Sequence, residues 1–335
     1  MKKYILFVLL FVFILPSCMD EELQQPNTNK GNFDALWKII DNQYCYLDYK
    51  NINWDSIHTV YNLKVNDSIN EYAFFDLMGS MLSELKDGHV NLYSNFDRSR
   101  YWKWFSDYPT NFSSKLIYSK RYLGDNYRIA GGFRYSTIDN DSIGYMYYGS
   151  FSTGFSDSNM RYMLNYFSKC KGIIIDVRDN GGGSLDYSEQ LASYFFVNDT
   201  ITGYIQHKTG TGHSDFSQPT EIKTTAHKTL KWQRPVVLLT NRMSYSATND
   251  FVNRMNHAPN CIVVGDKTGG GGGLPLSSEL PNGWLVRFSA CPMYNSAMEN
   301  TEWGIEPDVN VQLTTGDESN GIDAIIEKAI SLIKK

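Results

Sequence analysis

A serine hydroxyl becomes a nucleophile when a base can take its proton and when fixed N–H donors face the oxyanion that forms as it attacks. The segment Leu239-Thr-Asn-Arg-Met-Ser-Tyr-Ser-Ala-Thr-Asn249 leaves an apolar strand-like run and places Ser244 or Ser246 at the first turn of a helix, where the dipole favours a developing negative charge. Serine is also an ordinary helix N-cap, so this position alone does not establish chemistry. A second junction, Asp176-Val-Arg-Asp-Asn-Gly-Gly-Gly183, carries three glycines that let backbone N–H groups approach an anion. It lacks the GxGxxG spacing, and with no GxxxxGK[ST] in the chain the nucleotide readings lose ground. The available bases include His89, after the break Lys86-Asp87-Gly88, but spacing alone brings no histidine to either serine.

Both junctions need strands that end beneath them. Ile143–Phe151, Ile173–Val177, Val236–Thr240 and Cys261–Gly265 read as strands, the last three as short apolar runs of the buried parallel kind. Helices are expected at about 187–197 and 246–257, and a last one carries Ile322, Ile325, Ile326, Ala329, Ile330 and Ile333 on one face. Strand–helix alternation over this half of the chain argues for an α/β core. Upstream, three helical patterns fill 31–86. The clearest starts at a possible capping box, Ser68-Ile-Asn-Glu71, and continues through Phe74, Leu77, Met78, Met81, Leu82 and Leu85. Between Val90 and Asp141 the pattern is aromatic and irregular. Tyr101, Trp102, Trp104, Phe105 and Tyr108 there are expected to pack more than to line a cleft, and His213 lies in a loop with no assigned role.

The chain has 335 residues, 42% hydrophobic and 20% charged, with 31 basic and 36 acidic side chains and no basic block, which argues against a nucleic-acid partner. Lys2 and Lys3, the apolar run Tyr4–Leu15 and Leu15-Pro16-Ser17-Cys18 resemble a bacterial lipoprotein signal, in which Cys18 is lipidated after cleavage. Loss of residues 1–17, with both lysines, takes 335 residues to 318 and the net charge from −5 to −7. The expected division is a signal over 1–17, a polar tether over 18–31, a helical subdomain over 32–89, an irregular or β linker over 90–140 and an α/β core over 141–335. Cys170 and Cys261 lie beside apolar runs and read as free thiols, and no Cys/His spacing suggests a metal.

Six elements occur together in a characteristic order: Lys86-Asp-Gly-His89, Ile143-Gly-Tyr145 with Ser150-Phe151, Asp176–Gly183, Ser246-Ala-Thr248, Gly265-Asp-Lys-Thr268 and Gly304-Ile-Glu-Pro-Asp308. Over about residues 70–312 the chain thereby resembles the tail-specific, or C-terminal processing, serine peptidases and the tricorn protease core. That resemblance implies a crotonase-like (ClpP/crotonase-type) β/α core behind an N-terminal helical subdomain, a peptide or protein substrate, no cofactor, and attachment to the bacterial cell envelope through Cys18. It makes Ser246 the nucleophile and gives an oxyanion hole from Ala247 and the Gly181–Gly183 turn, with Gly181 and Gly182 as donors. The processing branch activates its serine with a lysine, but its spacing counted from Ser246 lands on Gly271, and Lys267 belongs to the preceding element. The tricorn branch uses a histidine and a glutamate instead. His89 and Glu302 occupy those positions, with Glu299 as competitor for the second.

Besides the competition from Glu299, two departures bear on activity: Gly88 stands where tricorn has a serine, and Asn249 stands where the processing peptidases have a glutamate. The interval from His89 to Ile143 is about half what a PDZ domain needs, so recognition of a free C-terminus by such a domain is not expected. Two rival readings follow: a catalytically inactive lipoprotein of the same fold that binds peptides or glycans, and a crotonase-type acyl-CoA enzyme, which an exported chain disfavours.

Overall fold

The computed structural model describes residues 25–335. The signal, Cys18 and the first half of the tether, residues 18–24, lie outside them. Helix α1 (Asn29–Gln43) starts inside the stretch expected to be tether, because the Thr28 hydroxyl accepts from the Gly31 N–H at 3.0 Å and caps it. Helices α2 (Trp54–Asn62) and α3 (Glu71–Ser83) follow. The cap of α3 is Asn70, which accepts from the Ala73 N–H at 3.0 Å. Ser68 bonds Asn66 in the preceding turn instead, so the expected capping box does not form.

After α3 come strands β1 (Asn91–Tyr93) and β2 (Arg98–Arg100), the single turns α4 (Lys103–Ser106) and α5 (Ser114–Ile117), and strands β3 (Arg128–Ala130), β4 (Phe133–Ile138) and β5 (Ile143–Tyr148). The chain continues through α6 (Asp157–Tyr166), β6 (Gly172–Asp176), α7 (Leu185–Ser193), β7 (Thr200–Ile205), β8 (Thr220–Thr224), β9 (Val236–Thr240) and α8 (Ala247–Met255). It closes with β10 (Cys261–Gly265), β11 (Gly273–Glu279), β12 (Leu285–Asn295), β13 (Val309–Asn310), α9 (Thr315–Ser319) and α10 (Ala324–Ile333). One sheet runs β13-β10-β9-β6-β5-β4-β3, parallel from β13 to β5 and antiparallel thereafter. The other runs β2-β1-β12-β7-β8, with β11 also paired to β12.

Alternation along the parallel strands divides the interior in two. Ile173, Ile175, Val236 and Leu238 pack with Met160, Leu191 and Phe251 of α6, α7 and α8. Ile174, Val237 and Leu239 face the other way, onto Ile325, Ile326 and Ala329 of α10. Each such aliphatic side chain contributes roughly 1.5–3 kcal/mol on full burial. The expected boundary at 140 cuts through the β4–β5 hairpin, whose Phe133 and Tyr148 are register partners, so 128–140 belongs to the α/β sheet. The helical segment is likewise not a separate body. Phe33, Leu36, Phe74 and Met78 share a third core with Leu92 of β1 and Val286 and Phe288 of β12. Among the described residues no helix is long and apolar enough to cross a membrane, and the four cysteines at 45, 170, 261 and 291 are free thiols.

Candidate active site

Ser246 sits where the chain turns from β9 into α8, with φ 59° and ψ −120°. A residue with a side chain stores about 1–3 kcal/mol in such a conformation, and persists in it only when neighbours over-determine the backbone. Here the Ser246 N–H donates to Gly270 O at 2.9 Å and the Tyr245 N–H to Asn180 O at 3.1 Å. The hydroxyl makes no capping bond to the helix. Ser244 is the structural serine of this turn: fully buried, it donates to Val177 O at 2.8 Å and accepts from the Asn241 N–H at 3.1 Å.

His89 follows α3 after Lys86, which turns the chain with a left-handed φ of 48° three residues past the helix. Its Nε2 lies 2.9 Å from Ser246 Oγ, and its backbone N–H donates to Asp87 Oδ1 at 2.7 Å. The Tyr245 ring leans on the imidazole at 4.9 Å between centroids, and Trp104 stacks on Tyr245 at 4.0 Å. These aromatics fill the space of the missing hydroxyl at Gly88, where a Cβ would meet Trp104 Nε1 at 2.5 Å and Tyr245 OH at 2.9 Å. Burial pushes the imidazole down to about 4; Asp87 opposes the shift, while Arg287 and Lys50 add to it. His89 is therefore neutral near pH 7, as a base must be. Its Nδ1 is buried and, among the described residues, has no hydrogen-bond partner.

Glu302 does not reach that nitrogen, and among the described residues no hydroxyl links the two. Its Oε1 takes Lys50 Nζ at 2.7 Å and its Oε2 the Gly272 N–H at 3.0 Å. Lys50 bridges to Asp87 at 3.6 Å, and Asp87 Oδ2 also accepts from Tyr44 OH at 3.0 Å and Ser289 Oγ at 2.9 Å. Burial with Asp87 nearby raises Glu302 to about 7 although Lys50 and the Gly272 N–H pull it down. Burial also opposes ionisation of Asp87, yet Lys50 and His89 hold it below the usual carboxylate range. The carboxylate beside His89 in the chain is thus Asp87, and Glu302 acts one ion pair further away. Lys50, in Tyr44-Cys-Tyr-Leu-Asp-Tyr-Lys50, carries no periodicity or motif that marks it in the sequence. Asp87 could have been found, since it lies within the element that contains His89.

The remaining expected residues divide. Among the described residues, the N–H groups of Ala247 and Gly181 have no acceptor, and Gly181 lines the same cavity as Ser246. The Gly182 N–H is engaged, donating to Asn180 Oδ1 at 3.0 Å, so the expectation of Gly182 as an oxyanion donor is corrected. Glu299 is exposed and bonds Asn295 at 2.8 Å, which removes it as a competitor for the site. Gly271 has φ 74° and its Cβ would run into the Tyr245 ring, so no lysine fits there, and Lys267 pairs with Glu306 at 2.9 Å. Asn249 is buried and ties α8 to the Glu302 loop, donating to Thr301 O at 3.1 Å and accepting from Thr268 Oγ1 at 2.6 Å.

Two adjoining cavities, of about 300 and 340 Å³, share Ser246, Gly183 and Arg287 in their walls, so the cleft extends to both sides of the hydroxyl. Tyr101, Trp102, Trp104 and Phe105 line the first, where packing was the favoured expectation; they also pack, Phe105 meeting Trp102 and Trp104 edge-on and Trp104 stacking on Tyr245. His213 is bound to α1 by Asp41 at 2.8 Å and lines neither cavity. Among the described residues no group of three or more His, Cys, Asp or Glu is placed to hold a metal ion.

A family model described as peptidase family S41 matches residues 142–311, and one described as the tricorn protease C1 domain matches residues 25–83. A crystal structure from Parabacteroides merdae ATCC 43184, described as that of a candidate peptidase, is 52% identical, covers 92% of this chain and 97% of its own, and superposes with a TM-score of 0.88. The carboxy-terminal processing protease CtpB of Bacillus subtilis is 26% identical over 180 residues, which are 52% of this chain. The chain spans only 35% of the length of that relative and 37% of a second B. subtilis processing protease. Mature CPAF complexed with lactacystin shares the fold at 11% identity, with a TM-score of 0.71 over 92% of this chain and 97% of that one.

Proposed function

The chain belongs to peptidase family S41, and on that premise we propose that it is a serine-type peptidase, lipid-anchored to the bacterial cell envelope through Cys18, that hydrolyses peptide bonds with Ser246 as nucleophile and His89 as base. The observation that carries the proposal is the 2.9 Å contact between Ser246 Oγ and His89 Nε2 in a cavity that adjoins a second one at Ser246. His89 Nε2 takes the hydroxyl proton as Oγ attacks the scissile carbonyl carbon. The carbonyl oxygen becomes an oxyanion facing the Ala247 and Gly181 N–H groups, and the imidazolium returns its proton to the leaving amine. Water, deprotonated by the same imidazole, then cleaves the acyl-enzyme and regenerates Ser246. Glu302 is a positioning residue, acting on His89 through Lys50 and Asp87.

One observation favours the inactive alternative: a base held near 4 whose second nitrogen lacks a partner is a weak one. A fluorophosphonate probe decides between the two. Labelling of the wild type that disappears in both Ser246→Ala and His89→Ala is expected, and a folded wild type that never labels sinks the peptidase reading. The anchor rests on the residues up to Cys18. Metabolic incorporation of a palmitate analogue should be lost in Cys18→Ala, and equal incorporation in that variant removes the anchor.

A further inference from the structure

Arg98, Arg100 and Arg287 line the cavity that holds Ser246 and His89, and no Asp or Glu lines it with them. Their placement is dictated by the sheet: Arg100 of β2 pairs with Asn91 of β1, and Asn91 with Arg287 of β12, so the three lie in one row across adjacent strands. Arg98, two residues from Arg100 and opposite Tyr93, shares that face. With strands about 4.8 Å apart, the Arg100 and Arg287 backbones stand about 10 Å from one another. Two long side chains can close that gap on a single small anion. Among the described residues, the arginines that form ion pairs are Arg121, Arg178 and Arg254, none of which lines this cavity. The Arg100 Nε is buried without an acceptor. Arg98 and Arg100 lie against the Tyr93 and Trp102 rings at 5.6 and 4.9 Å, a stacking that leaves the N–H edge of a guanidinium available to a planar carboxylate. In a chain with more acidic than basic residues, three cations without protein counterions are gathered beside the nucleophile.

We propose that Arg98, Arg100 and Arg287 form a subsite for a carboxylate of the substrate, so that peptides with an anionic group beside the scissile bond are selected. The inference rests on the peptidase reading and adds its substrate class. Arg287 lines both of the cavities that share Ser246. Besides burial, its charge is one of the influences that weaken His89 as a base, with Asp87 opposing and Lys50 adding to it. A bound carboxylate offsets that charge and strengthens the base when the correct substrate is present. The carboxylate can belong to an Asp or Glu side chain or to the end of the peptide, sources that share their chemistry.

The test reads binding with the nucleophile removed, so that it stands apart from turnover. Three fluorescein-labelled octapeptide pools, otherwise randomised among uncharged residues, are titrated against the full-length Ser246→Ala chain by fluorescence anisotropy. One pool has a central Gln and an amidated end, the second a central Glu and an amidated end, and the third a central Gln and a free carboxylate. At least one acidic pool should bind about tenfold tighter than the neutral one, about 1.4 kcal/mol. Arg287→Gln and Arg100→Gln, each added to Ser246→Ala, should bring that ratio within twofold; Arg98→Gln, on the exposed end of β2, serves if either fails to fold. Tightening in the second pool assigns a side chain, and in the third the peptide end. Equal binding of all three pools, or a preference that survives the arginine substitutions, overturns the subsite. Loss of fluorophosphonate labelling would instead overturn the peptidase reading and leave this result standing.

Discussion

Lys50→Met removes the cation between two buried carboxylates while keeping a side chain of similar length. The Lys50, Asp87 and Glu302 side chains are 2%, 0% and 3% exposed, so solvent does little to screen what is left. Breaking a buried pair by deleting one partner costs about 3–5 kcal/mol, since the other charge stays desolvated. The loss must depend on pH in one direction. Glu302 is raised to about 7 in the folded chain from an ordinary 4.5, and Lys50 is among the influences that pull it down, so the substitution raises it further. A carboxyl whose folded value lies above its unfolded value contributes stability at low pH that is lost as pH rises through the folded value. The variant should therefore show a smaller deficit at pH 5.5, where Glu302 is protonated and Asp87 alone is stranded, and the full deficit at pH 8.5. Urea denaturation followed by circular dichroism at the two pH values measures it. Adding Glu302→Gln to Lys50→Met should recover about 2 kcal/mol at pH 8.5, because one of the two stranded charges is gone. Lys50 also helps to lower His89, so the acid limb of fluorophosphonate labelling should move to higher pH in Lys50→Met. A deficit below about 1 kcal/mol at pH 8.5, or one that grows on acidification, would refute the reasoning.

Two further outcomes test the geometry around the nucleophile. The strain at Ser246 is a backbone property, so Ser246→Gly should be more stable than Ser246→Ala by about 1–2 kcal/mol in thermal unfolding, both being inactive; equal stabilities would mean that φ 59° stores no strain. Gly88→Ser restores the hydroxyl found in tricorn but drives a Cβ into Trp104 and Tyr245, so labelling of Ser246 should slow by about tenfold or more, as if the pair were displaced by a few tenths of an ångström; unchanged labelling would show that the stacked rings yield freely.

What was legible in the sequence was what local pattern can carry. The apolar strands 236–240 and 261–265 appear with their expected bounds, because strands buried in a parallel sheet, the first throughout and the second over Val263–Gly265, are continuous runs ended by turn residues. The pairing of His89 with Ser246 came from ordered motifs and not from spacing, and the two side chains meet across 157 positions of sequence. The α3 cap was misplaced because Ser68 and Asn70 are equivalent cap formers two residues apart, and only the helix register separates them. The 90–140 stretch was unreadable because β1, β2 and β3 are three residues each, too short to show a period, and take their order from distant partners such as Arg287. The Lys50–Glu302 pair joins two loops 252 positions apart, which no local signal encodes.

That pair also connects Glu302 to the segment carrying His89, a histidine its side chain does not touch. His89 rests on the core built from α1, α2, α3 and β12, whereas Ser246 rests on the parallel sheet, so their 2.9 Å contact crosses a seam between separately packed interiors. Glu302 is bonded on both sides of the seam. Its carboxylate holds Lys50, which also reaches the carbonyl of Leu85 at 3.3 Å, just ahead of Asp87 and His89. Its backbone carbonyl takes the Gly271 N–H at 3.1 Å and its Oε2 the Gly272 N–H, fixing the glycine loop whose Gly270 carbonyl receives the Ser246 N–H. Catalytic geometry tolerates errors well below 1 Å, and two independently packed bodies do not hold that tolerance by apolar contact alone. A buried ion pair with fixed hydrogen-bond directions supplies the registration that a hydrophobic seam lacks, at the cost of a carboxyl group raised to about 7.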